Sequence, residues 1–234
     1  MAAIGPAENA VELEFGDARV RSGFRFTEAS ELAGGPVELE FFVELIGSGS
    51  RYLLVAADRM RRRPSDVSFA ATFAGVPLAD PGKNVPDMGG PAGVVEIAAG
   101  RPWRQPLILN QFIGLEAVLD MLEPGGSGPL TAACRRPLPL AIDEAGALAP
   151  APGAPIVEVQ LTLKLRRDDA ALGILIDQLV AQIRDGAPEQ RPKRLDLLLA
   201  LRAPAAVNRW RALVNHPDPA VAQRVRQSLS KHGH

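Results

Sequence analysis

From Val11 the chain alternates apolar and acidic residues, Val11-Glu12-Leu13-Glu14-Phe15, and it does so again in Val37-Glu38-Leu39-Glu40-Phe41, continued by Phe42-Val43-Glu44-Leu45. A period of two with the glutamates outward predicts half-buried strands. Arg19 to Phe26, Tyr52 to Ala56, Val67 to Phe73, Val94 to Ile97, Pro106 to Leu109, Leu130 to Arg135 and Ile156 to Leu163 read the same way or as short apolar runs. Gly, Pro, Asp or Ser separates almost all of them. Roughly nine short strands, with no amphipathic helix of useful length between them, predict an antiparallel sandwich. Within it, Gln111 to Leu122 has helical spacing at Phe112, Leu115, Leu119 and Leu122, and reads as a short helix or wide loop crossing between sheets. Asp143 to Pro155, rich in Ala, Pro and Gly, reads as an exposed loop.

The period changes at Asp168. Asp168-Asp169 stands where an N-cap belongs, ahead of Leu172, Leu175, Ile176, Leu179, Val180 and Ile183 at helical spacing, and Asp185-Gly186 ends the run. Three further helices are predicted around Leu195, Leu198, Leu199 and Leu201, around Val207, Trp210, Leu213 and Val214, and around Val221, Val225 and Leu229. Pro-bearing turns join them into two antiparallel pairs. The expected division is a β-sandwich over 1–166 and a helical part over 167–234.

With 47% hydrophobic and 23% charged residues, the chain has the composition of a globular protein with a core. The formal net charge of −1 hides an asymmetry: residues 1–159 carry 13 Lys/Arg and 20 Asp/Glu, hence −7, whereas 160–234 carry 13 and 7, hence +6. Met1 to Ala10 has neither the basic start nor the apolar stretch of a secretory signal, and no apolar run approaches the ~20 residues that span a bilayer, so a cytoplasmic protein away from membranes is expected. The single Cys134 has no internal disulfide partner and reads as a small buried residue on a strand.

Two resemblances follow from particular residues. Gly100-Arg-Pro-Trp103-Arg-Gln-Pro-Leu107-Ile-Leu109, followed by Pro124-Gly125 and Leu130-Thr-Ala-Ala-Cys134, resembles the late strands of bacterial immunoglobulin-like domains, which implies a fold and no activity. His216-Pro217-Asp218-Pro219-Ala220-Val221-Ala222-Gln223-Arg224-Val225 resembles the second helix of a HEAT-like repeat. Asp185-Gly186-Ala187-Pro188 looks like the start of an earlier copy, Pro188 lying 31 residues before Pro219. Ala222 stands where such repeats often have Arg, and Gln190 stands in the earlier copy where Val221 is in the later one. The expected fold is therefore α+β in two parts, an immunoglobulin-like sandwich followed by HEAT-like helices. The repeat resemblance implies a surface for protein–protein contact.

Chemistry-bearing constellations are sparse. The histidines, His216, His232 and His234, cluster near the C-terminus, and no third ligand at sensible spacing turns the last two into a metal site. Gly47-Ser48-Gly49-Ser50 lacks the Gly-Lys-Ser/Thr ending of a phosphate loop and reads as a hairpin turn. No nucleophile with a base is evident around Cys134. These features point away from an enzyme, and neither cofactor nor metal is expected. The loop from Gly82 to Gly93 is long enough to serve as a binding loop on the sandwich. Arg59-Met60-Arg61-Arg62-Arg63 is the sharpest charge cluster; the slightly negative chain and its single tyrosine argue against nucleic acid and for an acidic protein surface.

The expectation that results is a non-catalytic adaptor or scaffold. Its partner is another protein with an acidic surface, contacted by Arg191, Lys193, Arg194, Arg209, Arg211 and Arg224 on the helices and by Arg61, Arg62 and Arg63 on the sandwich. The alternative is a sandwich that binds a peptide or glycan through residues 82–93. Trp103 and Trp210 could each be an interface anchor or a core residue.

Overall fold

A computed structural model describes residues 8–15, 18–56, 64, 66–81, 92–138, 140–144, 147–150 and 154–231. Among them are twelve strands: β1 (Glu8–Phe15), β2 (Ala18–Ala29), β3 (Val37–Ile46), β4 (Ser50–Ala56), β5 (Ser68–Phe73), β6 (Val76–Leu78), β7 (Ala92–Ala98), β8 (Trp103–Ile108), β9 (Ser127–Pro137), β10 (Leu140–Glu144), β11 (Ala147–Pro150) and β12 (Ile156–Arg166). The helices are α1 (Ala117–Met121), α2 (Asp169–Asp185), α3 (Arg191–Ala200), α4 (Pro204–Trp210) and α5 (Pro219–Lys231).

The strands make three four-stranded sheets, ordered β1-β2-β3-β8, β12-β9-β5-β6 and β11-β10-β4-β7. Every strand pair is antiparallel. One core joins all three sheets. Val20, Phe24, Leu39, Phe41 and Val43 of the first meet Phe73, Leu130, Ala132, Cys134, Val157 and Leu161 of the second and Leu53 and Ile97 of the third. Phe24 touches Phe69 edge-on at 5.8 Å, and Phe69 meets Phe112 at 4.7 Å.

The alternation seen in the sequence has its physical cause here. On β3 Val37, Leu39, Phe41, Val43 and Leu45 enter the core, while on the other face Glu40 and Glu44 stand opposite Arg25 and Arg21 of β2 and Phe42 lies under Arg25. Arg25 reaches Glu40 at 2.7 Å, Arg104 of β8 reaches the same carboxylate at 2.8 Å, and Arg19 reaches Glu12 at 2.7 Å. The outer face of the first sheet is thus a cross-strand ladder of opposite charges, each rung worth only a few tenths of a kcal/mol to about 1 kcal/mol. Gly23 sits opposite Ala10 in this sheet, and a Cβ there would lie 2.1 Å from the Asn9 carbonyl oxygen, so no larger residue fits without moving β1.

The helices build a second core from Leu172, Ile176, Leu179 and Ile183 of α2, Leu195 and Leu198 of α3, Val207 and Trp210 of α4, and Val221, Val225 and Leu229 of α5. Asp168 caps α2, its carboxylate accepting the Ala171 N–H at 2.9 Å. Ile108 and Leu119, from the β-rich part, pack against this core. The chain passing between the two parts is tied on both sides. Arg166 exchanges main-chain bonds with Glu31 and Ala33, and the Arg167 guanidinium donates to the Leu119 and Leu122 carbonyls at 2.8 Å each, at the end of α1, while pairing with Asp169 at 3.1 Å.

Several expectations are corrected. The fold is mainly β, with three sheets where an immunoglobulin-like sandwich has two, and its helical part is not a HEAT-like array. The four C-terminal helices have 17, 10, 7 and 13 residues, so no unit repeats. Pro188 lies in a turn and α3 starts later, with Pro192 in its first turn, so Pro188 is not the counterpart of Pro219. α5 buries Val221, Ala222, Val225 and Leu229 and exposes Gln223, Arg226 and Gln227, which leaves no apolar face for a following unit to stack on. The expected loop 143–155 contains the end of β10 and all of β11, and β6 was not anticipated, whereas the expected short helix or wide loop over 111–122 agrees with the five-residue α1 and the irregular chain before it. The turn at Gly47 and Gly49, both at positive φ, does not close a hairpin: β4 leaves β3 for the third sheet.

Candidate docking surface

The cationic residues singled out on the helices do not form one free patch. Lys193 on α3 reaches Glu38 of β3 at 2.8 Å, and Glu38 keeps only 8% of its side chain exposed. Arg209 on α4 pairs with Asp177 on α2 at 2.7 Å, Arg224 on α5 pairs with Asp196 on α3, and Arg211 donates to Asn208 at 3.4 Å. Lys193, Arg209 and Arg224 therefore bind elements of the fold to one another. The hydrogen bond from Arg209 holds the Asp177 carboxyl below the usual carboxylate range, with the charge of Arg209 adding to it.

Counting the carboxylates shows what remains. Asp168, Asp169, Asp177, Asp185 and Asp196 each face an arginine of this chain. Arg191 and Arg194 have no carboxylate partner among the described residues. They lie three apart at the start of α3, a spacing that puts two side chains side by side. The Arg191 Nε is buried and has no acceptor among the described residues.

The start of α3 is locally unfavourable. A helix N-terminus carries partial positive charge and favours acidic side chains or an oxygen cap. Here the N-cap Gln190 makes no side-chain capping bond, the first turn holds no acidic residue, and two arginines stand there instead. The exposed Glu189 precedes the cap. Arg226 donates to the Val214 carbonyl at 2.9 Å and adds a further cation without a carboxylate partner among the described residues.

The other sequence candidates resolve individually. Arg61, Arg62 and Arg63 lie outside the described residues, as do 82–91 of the expected binding loop, whereas Gly93 belongs to β7. Trp210 is fully buried and donates to the Leu198 carbonyl at 3.1 Å, which makes it a core residue. Trp103 is half-buried and packs edge-on against Phe41 at 6.0 Å. Cys134 is buried on β9, and burial pushes its thiol up to about 12. His216 is buried in the turn before α5, its Nδ1 accepting the Asp218 N–H at 3.0 Å. A shallow cleft of about 360 Å³ lies at the junction of the two parts, lined by Pro124, Gly125 and Arg166 to Asp169, and its arginines are already paired with its aspartates. No group of three His, Cys, Asp or Glu that could hold a metal occurs among the described residues, and none of their helices is long and apolar enough to cross a membrane.

The partners that decide all this, Glu38 for Lys193 and Asp177 for Arg209, are 155 and 32 residues away in sequence, from 193 − 38 and 209 − 177. No local signal marks such pairs. No family profile matches this chain, and neither a curated protein nor a solved structure is similar to it.

Proposed function

We propose that the protein is a non-catalytic binding protein that docks an acidic segment of another protein onto the start of α3, through Arg191 and Arg194. The observation that supports this is the uncompensated positive end of that helix. Arg191 and Arg194 add two positive charges to the end of the helix that the dipole already makes positive, and no carboxylate of the described chain pairs with either. An acidic segment arriving there gains charge-assisted hydrogen bonds and relieves the repulsion. The surface set first expected narrows accordingly, because Lys193, Arg209 and Arg224 serve the fold.

The test uses the whole chain as bait in extract of its source organism, with the double variant Arg191→Glu/Arg194→Glu beside it, at about 50 and 300 mM salt. Arg184→Glu, which alters a cation already paired with Asp185, is the control for charge alone. Acidic proteins held by wild type and by the Arg184 variant at low salt, lost at high salt and lost in the double variant, support the reading. Equal capture by all three baits overturns it. A defined probe gives the same comparison without an extract: a fluorescent polyglutamate peptide should bind wild type at least tenfold more tightly than the double variant at low salt.

A further inference from the structure

Three four-stranded sheets present six edge strands, and five of them are closed or blunted. β1 runs beside β12, where the Asn9 side chain donates to the Gln160 carbonyl at 2.6 Å. The end of β12 is covered by the bridge from Leu32 to Arg166. β8 carries Pro106 and an Arg104 held by Glu40, β6 has three residues with Pro77 in the middle, and β11 has four and ends in Pro150. Such devices keep edge strands from pairing with other chains.

β7 is covered only at its last residue, where Arg101 bridges Ala98, and has no such device from Ala92 to Ile97. Ala92-Gly93-Val94-Val95-Glu96-Ile97-Ala98 contains no proline and no cation, and among the described residues it has one strand neighbour, β4. Its outer side chain Val94 is 45% exposed, and Tyr52, opposite Glu96 on β4, is 38% exposed. The direction of its free main-chain groups follows from the turn after it. The Arg101 N–H bonds the Ala98 carbonyl at 2.9 Å on the side away from β4, so by alternation Ala92, Val94 and Glu96 also point their N–H and C=O groups away from β4.

We propose that β7 of two copies of this chain pair antiparallel about a two-fold axis at Val95, joining two four-stranded sheets into one of eight strands. A second copy is the occupant because the strand is complementary to itself in this register. Val94 then forms a hydrogen-bonded pair with the partner's Glu96, and Glu96 with the partner's Val94. Both pairs use the main-chain groups that point outward. Gly93 lies opposite the bulkier Ile97 of the other copy, and Val95 meets Val95 as a non-hydrogen-bonded pair. The two Glu96 carboxylates fall on diagonal positions, about 8 Å apart from the strand spacing and rise, where repulsion is weak. Centring the axis on Glu96 would instead set the two carboxylates directly opposite one another, which is destabilising. The contact is small, so the association is weak and is read near 100 µM protein, by order of magnitude. It is independent of the docking at α3.

The register makes the test specific. A non-hydrogen-bonded antiparallel pair has its Cα atoms about 4.5 Å apart, within reach of a disulfide. Under mild oxidation Val95→Cys should give a disulfide-linked dimer, whereas wild type, whose Cys134 is buried, and Val76→Cys on the exposed β6 edge should stay monomeric. In sedimentation, wild type should show a reversible dimer that Val94→Pro, which removes an outward N–H, weakens at least tenfold. Val94→Lys provides the same comparison should the proline variant fold poorly. Cross-linking of Val95→Cys no faster than Val76→Cys, a wild type that stays monomeric to several hundred micromolar (roughly the top of the measurable range), or a dimer indifferent to both Val94 variants would each overturn the pairing.

Discussion

Arg136 on β9 provides the sharpest test of how the β-rich core is held. Its side chain is fully buried, donating from Nε and Nη2 to Asp66 at 2.9 and 2.7 Å and from Nη1 to Gln105 at 2.5 Å. The guanidinium also lies 4.5 Å from the Phe41 ring centre and 5.2 Å from that of Trp103. Burial lowers its pKa, and the Asp66 charge and hydrogen bond oppose that shift. Arg136→Ala strands Asp66, whose Oδ1 is already buried without a hydrogen-bond partner, and opens a hole beneath two aromatic rings. Removing one member of a buried pair costs about 3–5 kcal/mol, and a desolvated cation over an aromatic ring is worth up to about 2 kcal/mol. Because the Asp66 side chain is 23% exposed, the lower part of the first range applies, and about 4 kcal/mol is expected in total. For a chain of this size that corresponds to a melting temperature lower by roughly 8–16 °C. Urea and thermal unfolding of wild type, Arg136→Ala, Asp66→Ala and the double variant measure it. The double variant should be less damaged than the sum of the single ones by about 2 kcal/mol, since it contains no stranded charge. A single variant melting within about 3 °C of wild type, or strict additivity in the cycle, would refute the account.

Three further outcomes are expected. Cys134, buried and with its thiol pushed up to about 12, should resist iodoacetamide at pH 8 in the native protein and react at least a hundredfold faster in denaturant, which mass spectrometry follows directly. Lys193→Glu places a second carboxylate beside the nearly buried Glu38 and should lower the melting temperature by roughly 3–6 °C, whereas Arg194→Glu should change it by less than about 2 °C. Asp168 is held below its usual range chiefly by the Ala171 N–H and secondarily by Arg166. Its contribution is therefore present above the unfolded carboxylate pKa and lost as pH falls through the lower folded value, so melting curves between about pH 5 and 2 should fall less steeply for Asp168→Asn than for wild type.

The strands that were legible in the sequence are those with one face in the core. β3 and β12 alternate because apolar residues must enter and polar ones must not, and β2 alternates with arginines because β1 and β3 place glutamates across from it. β11 was hidden because Ala, Pro and Gly dominate 145–155, and such residues read as loop whatever they pair with. That β4 and β7, both read as strands, belong to a third sheet was not legible: β9 runs almost directly into β10, and nothing local marks a strand that changes sheets. The C-terminal helices were visible from Leu172, Ile176, Leu179 and Ile183, yet the apparent repeat was an accident of proline spacing. Pro188 and Pro219 occupy different structural positions, one in a turn and one opening a helix.

Charge was the poorest guide, for a physical reason. A guanidinium on a helix counts as surface charge only when no carboxylate from another element reaches it, and that depends on three-dimensional packing. Arg209 and Arg224 were indistinguishable from Arg191 and Arg194 in the sequence, but α4 and α5 bring the first two against Asp177 and Asp196. What survives packing is more informative than what was there before it. Natural chains usually satisfy local rules, so a place where a rule stays broken after folding is a better pointer to a partner than any density of charge. The start of α3 keeps two arginines where an acid is favoured, and β7 keeps its edge open from Ala92 to Ile97 where its five counterparts are blunted. Those two places carry the proposals because, within the described chain, the protein gains no stability from leaving either one as it is.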